Sequence, residues 1–155
     1  MNIELRELPP VTVACLRYIG PYGPGIEPFW RQTVAAWLER EGLLGRARYG
    51  VSLDHPGLTP PERCRYDAGV EAPRGYVPTG EALLTQLPGG LYAVLDFSGP
   101  PSALGAAWHA LLEEWLPGSG YRHAGSPPYE YMPAEGSFNP ATGEIRGEIR
   151  VPVLR

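Results

Sequence analysis

The sequence predicts an α+β fold made of duplicated strand-helix-strand-strand units with pseudo-twofold symmetry: an antiparallel sheet, two main helices and a central groove. Three observations predict it. The chain nearly repeats itself at an offset of 79 residues, each copy carries a helical pattern with tryptophans seven residues apart, and runs of alternating polarity follow both helices.

Ile3 to Leu8 reads as the opening strand. Leu8-Pro9-Pro10 is matched by Leu87-Pro88-Gly89, and the strand-like run Val13 to Tyr18 by Tyr92 to Phe97. The first two strands of each copy therefore read as a hairpin, through Pro9-Pro10 or through Pro88 to Gly90. Gly20-Pro21 and Gly99-Pro100 are matching turns, and a helix follows each. Trp30, Val34, Trp37 and Leu38 share one helical face, as Trp108, Leu111, Leu112 and Trp115 nearly do. Gly25 with Glu27 and Pro28 suits the first helix start, Ser102 suits a cap on the second, and Pro117-Gly118 closes it. Downstream, Cys64, Tyr66, Ala68 and Val70 alternate with Arg65, Asp67 and Gly69, while Ile145, Ile149, Val151 and Val153 alternate with Arg146, Glu148 and Arg150. Both runs read as half-buried strands with one wet face. One domain over residues 1–155 is expected, with repeat halves of about 1–77 and 78–155.

The chain's 155 residues can bury roughly 70% of the unfolded surface, enough for a core without staples. Hydrophobic residues at 43% and charged residues at 19% match an ordinary globular protein. The apolar runs fall short of the roughly 20 residues of a membrane helix, and the acids of the first eight residues do not suit a signal peptide, so a cytoplasmic location is expected. A net charge of -4 argues against direct nucleic-acid binding, although an acidic surface can dock on a basic protein. Cys15 and Cys64 stand alone and read as buried thiols. His55, His109 and His123 have no spacing that suggests a metal set or a nucleophile relay, and no metal or cofactor is expected. The Gly20 to Gly25 stretch is glycine-rich, but its prolines remove amide donors that a phosphate loop needs.

Taken together, the paired Gly-Pro turns before Trp-bearing helices, the stretch Pro61 to Val70, the stretch Leu87 to Val94 and Pro128-Tyr129-Glu130-Tyr131 resemble the GyrI-like small-molecule-binding domains. These domains also serve as the effector-binding part of multidrug-responsive regulators. The resemblance covers nearly the whole chain. It implies a groove between the repeats for lipophilic, often cationic aromatic compounds, with Glu130 as the acid at its floor. It leaves open three jobs, ranked here as capture of a small molecule or toxin, hydrolysis of strained cyclopropane-type alkylating toxins, and inhibition of DNA gyrase. Since the sequence opens with strand-like residues, this chain alone is not expected to read DNA. Pro101 stands where the first copy has Tyr22, which departs from many relatives and alters the groove rim.

Alternation turns the Glu130 side chain away from Tyr129 and Tyr131, and the matching run Tyr49-Gly50-Val51 has no acid. Tyr18, Tyr49, Tyr66 and Trp108 are the candidate lining residues, since aromatic walls with one counter-charge suit a bulky cation. Trp30, Trp37 and Trp115 are expected in the core. Should Glu130 be catalytic, it would orient or deprotonate a water. Ligand identity and oligomeric state are not legible.

Overall fold

The computed structural model describes residues 2–155. Its strands are β1 (Ile3–Leu8), β2 (Val11–Ile19), β3 (Arg48–Ser52), β4 (Arg65–Glu71), β5 (Leu83–Leu87), β6 (Gly90–Gly99), β7 (Arg122–His123), β8 (Tyr129–Met132) and β9 (Ile145–Leu154). Eight lie in the order β1-β6-β9-β8-β3-β4-β2-β5, and β7 pairs separately with β9. All recorded pairings are antiparallel. Helix α1 runs over Ile26–Pro28, a π-helical Phe29–Val34 and Ala35–Arg40. Helix α2 contains Leu104–His109 and a π-helical Ala110–Trp115, with a 3₁₀ turn at each end. Ser102 sits inside the leading 3₁₀ turn and forms no side-chain cap.

The expected hairpins do not form. β1 pairs with β6, and β5 pairs with β2, so each copy gives its opening strand to the other. The linkers explain the exchange: neither Pro9-Pro10 nor Pro88-Gly89 takes up the φ > 0 positions of a two-residue hairpin turn, so each linker passes on extended. A two-residue linker also spans only about 10 Å, although β1 and β2 lie at opposite ends of the strand order. The sheet must therefore curl until its two ends approach. Close contact between the linkers fits this, since a Cβ on Gly89 would come within 2.8 Å of Pro10.

Curling buries the sheet face that the helices leave free. Val13, Cys15, Tyr49, Val51, Leu87, Tyr92, Val94 and Tyr129 form one inner cluster drawn from strands far apart in the order. The expected wet faces of β4 and β9 are thus largely covered. Asp67 is fully buried, gripped by the Arg17 guanidinium at 2.7 and 2.9 Å and by the Thr85 hydroxyl at 2.7 Å. Arg150 is buried over the Tyr131 ring at 4.0 Å and paired with Glu148 at 2.7 Å. Buried ions of this kind persist only with partners in place.

The outer face carries the helices. Val34, Trp37 and Leu38 of α1 cover Ala14, Leu16, Tyr66, Ala68 and Val70; Leu111 of α2 covers Ala93, Leu95, Ile149, Val151 and Val153. Between these two clusters the sheet is continuous through the β3–β8 pairing, where Gly50 faces Glu130. Among the described residues, no helix is long and apolar enough to cross a membrane.

Candidate functional site

The β3–β8 junction is where the two copies meet, and its residues are each other's counterparts. Carrying the β2–β4–β3 pairings onto β6–β9–β8 places Gly50 in the position of Glu130, Tyr49 in that of Tyr129, and Arg48 in that of Pro128. A carboxylate and a glycine therefore oppose one another on the axis of the repeat. Strand alternation puts both on the helix-bearing face, because Gly50 pairs with Ala68 and Glu130 with Ile149.

Glu130 is held from both sides. Trp108 of α2 donates its indole N–H to Oε2 at 2.8 Å, and the Tyr66 hydroxyl of β4 donates to Oε1 at 3.4 Å. Trp30 of α1 in turn donates its indole N–H to the Tyr66 oxygen at 2.9 Å. The result is a chain Trp30–Tyr66–Glu130–Trp108 running from one helix to the other across the sheet. Gly50 makes the chain possible, since a Cβ there would stand 2.0 Å from the Tyr66 oxygen and 3.2 Å from Glu130 Oε1. The glycine is required by close approach, with no unusual backbone angle involved.

Tyr66 is buried, whereas Trp30, Trp108 and Glu130 each keep part of their surface open. Desolvation pushes the Glu130 carboxyl above its ordinary value, against the opposing pull of the Trp108 and Tyr66 hydrogen bonds. Burial, with the neighbouring carboxylate adding to it, drives the Tyr66 phenol well above 10 and keeps it a donor. Among the described residues Glu130 has no ion-pair partner. No group of described residues is suited to a metal. The site thus offers one under-neutralised acid flanked by the indole of Trp108, with that of Trp30 one hydrogen bond further away, a setting that suits a cation with apolar flanks.

Of the residues singled out from sequence, Glu130, Tyr66 and Trp108 come together. Tyr18 does not join them: it packs against Phe29 at 5.6 Å under the start of α1 and bonds the Pro21 carbonyl at 2.9 Å. Tyr49 is on the wrong face. It is buried in the inner cluster against Tyr129 and Tyr131, because one residue of strand separates it from Gly50. Trp30, placed in the core from its helical stripe, does pack against the outer core cluster, and its indole N–H also enters the chain of hydrogen bonds. The signal was available, for Trp30 matches Trp108 at an offset of 78 and should share its surroundings. Tyr22 is a further rim residue, edge-on to Tyr66 at 6.3 Å. Two hollows elsewhere, of about 410 and 510 Å³, lie by Phe138 and Arg146 and between α1 and residues 79–82; neither is lined by Glu130.

The chain is similar to a DNA gyrase inhibitor of Edwardsiella piscicida, 31% identical over 100% of this chain and 99% of that one. Its fold is shared by SAV2435 solved with tetraphenylphosphonium, at a TM-score of 0.66 and 14% identity over 99% of this chain and 94% of the other. It is shared also by a hydrolase from Listeria innocua, at 0.59 and 13% over 99% and 92%. With the family model matching residues 1–154, the chain belongs to the GyrI-like small molecule binding domain family.

Proposed function

We propose that this protein captures lipophilic aromatic cations in the groove between α1 and α2, with Glu130 as the counter-charge and Trp30 and Trp108 as walls. One observation carries the reading: the carboxylate is oriented from both sides by neutral donors while no cation among the described residues neutralises it. A bound cation would supply the missing charge in a partly desolvated place, where attraction is stronger than in water. The fold match to SAV2435, which was solved with tetraphenylphosphonium, supports the ligand class.

A second reading uses the same acid with Tyr66 beside it. The Glu130 carboxylate, made more basic by burial, takes a proton from water as the water oxygen bonds to a carbon of the strained ring; the strained C–C bond breaks, its electron pair passes into the rest of the substrate, and Glu130 returns the proton there, with the Tyr66 hydroxyl steadying the acid. The fold match to the Listeria hydrolase supports considering this reading.

Calorimetric titration with tetraphenylphosphonium, and with neutral triphenylphosphine oxide as the control, tests the first reading. Glu130→Gln is expected to weaken the cation about tenfold or more and the neutral compound little. Equal cation affinity for the two proteins would refute the counter-charge role. Mass analysis of strained-ring electrophiles after incubation decides the second reading, which requires products that disappear in Glu130→Gln.

A further inference from the structure

Glu130 is not the only charge that breaks the symmetry of this junction. Arg48 lies on β3 two residues from Gly50, hence on the same outer face, and its counterpart in the second copy is Pro128. Its side chain is exposed, and its guanidinium stands over the Trp30 indole at 5.8 Å. That indole is the one bonded to Tyr66, so Arg48 borders the same groove. Among the described residues it forms no ion pair, although the nearby carboxylate of Glu130 is itself unpaired. Two residues of strand separate the guanidinium's origin from the acid's level, about 7 Å along the sheet. Opposite Arg48 in the register stands Met132, an adaptable apolar wall.

The groove is therefore polarised along the strands, with an unpaired acid at one level and an unpaired base at the next. We propose that the preferred ligand is zwitterionic: a flat aromatic molecule whose cationic group sits on Glu130 and whose carboxylate, or similar planar anion, is taken by Arg48. A guanidinium over an indole face keeps its edge N–H donors free for a planar anion. The two charges also select one orientation in a groove that would otherwise accept a symmetric ligand either way round. This inference rests on the groove reading above and adds a second anchor to it.

The test is calorimetric titration at low salt with three probes: biphenylmethylammonium, the same skeleton with a carboxylate on its far ring, and the far-ring carboxylate alone. The zwitterion is expected to bind wild type about threefold to tenfold more tightly than the ammonium compound, an advantage limited by the exposure of Arg48. Arg48→Gln should abolish that advantage while leaving the melting temperature unchanged and the ammonium compound's affinity the same or slightly higher, because a nearby like charge is gone. Arg48→Lys should restore part of it. If the ammonium compound binds but the zwitterion gains nothing, or if Arg48→Gln alters both equally, the second anchor is refuted and the Glu130 reading stands. If no probe binds wild type, both fail together.

Discussion

Two carboxylates one strand apart show how differently the two faces of one sheet satisfy an acid. Glu148 on β9 faces the inner side of the curled sheet, bonded by Arg150 at 2.7 Å and Arg6 at 3.1 Å. Burial alone would raise its pKa, but the two guanidiniums outweigh burial and hold it below the ordinary carboxylate value. Glu130 on the adjacent β8 faces outward and meets only neutral donors, so burial prevails and its pKa rises. One acid has its cation built in; the other has none among the described residues. Removing a group on the inner side should therefore cost stability, while changes on the outer side should cost affinity.

The largest effect is expected from the inner side. Tyr129 is almost wholly buried, with rings of Tyr49 and Tyr92 at 5.7 and 5.6 Å and the Arg150 guanidinium nearby. Tyr129→Ala should destabilise the protein by about 3–5 kcal/mol, the usual range for emptying a large aromatic site. Urea unfolding would measure it, and a loss below about 1 kcal/mol would mean that the inner cluster does not hold the curl together.

This contrast also shows what the sequence could reveal. The α+β class, the paired helices and the outward turn of Glu130 were legible because each depends on local periodicity, of 3.6 or of 2. The exchange of β1 and β5 was not, since strand partners depend on which edges the curl brings together, and no local pattern records that. The buried Asp67 was misread for the same reason. A strand with alternating polar residues looks half-wet, yet here Arg17 arrives from the adjacent β2 and Thr85 from β5 beyond it to satisfy the acid. Tyr49 shows the limit of reasoning by residue type: an aromatic beside the axis is an attractive wall, but a shift of one position moves it through the sheet.

Acidification should separate the two carboxylates. Glu130 titrates above 4.5 in the folded state, so its contribution to folding is fullest below that ordinary value and is lost as pH rises through the raised one. Cation binding has the opposite sign, because it needs the charged form and weakens as pH falls through the raised value. Glu148 titrates below 4.5, so its stabilisation is present above that value and is lost only as pH falls through the lowered one. Lowering the pH should thus release a bound cation while the inner ion pairs still hold. Parallel titrations of tetraphenylphosphonium affinity and of melting temperature would show it, and simultaneous loss of both would erase the distinction drawn between the two acids.

The smallest expected effect compares the two tryptophans that the repeat makes equivalent. Trp108→Phe removes a direct 2.8 Å bond to Glu130, leaves an aromatic wall, and should push the carboxyl still higher. Trp30→Phe removes a bond to the Tyr66 oxygen, one step away, and lets the tyrosine hydroxyl reorient without losing its acceptor. One neutral hydrogen bond contributes about 0.5–1.5 kcal/mol net, and somewhat more when it meets a charge. Because a bond kept in both free and bound protein cancels from the affinity, the effect runs through the charge of Glu130: near its raised pKa, tetraphenylphosphonium affinity should fall about threefold to tenfold for Trp108→Phe and about twofold or less for Trp30→Phe. Equal losses would mean that the indoles act only as walls, since both variants keep a ring in place. The predicted inequality requires that Glu130, present in one copy alone, makes formally equivalent residues unequal.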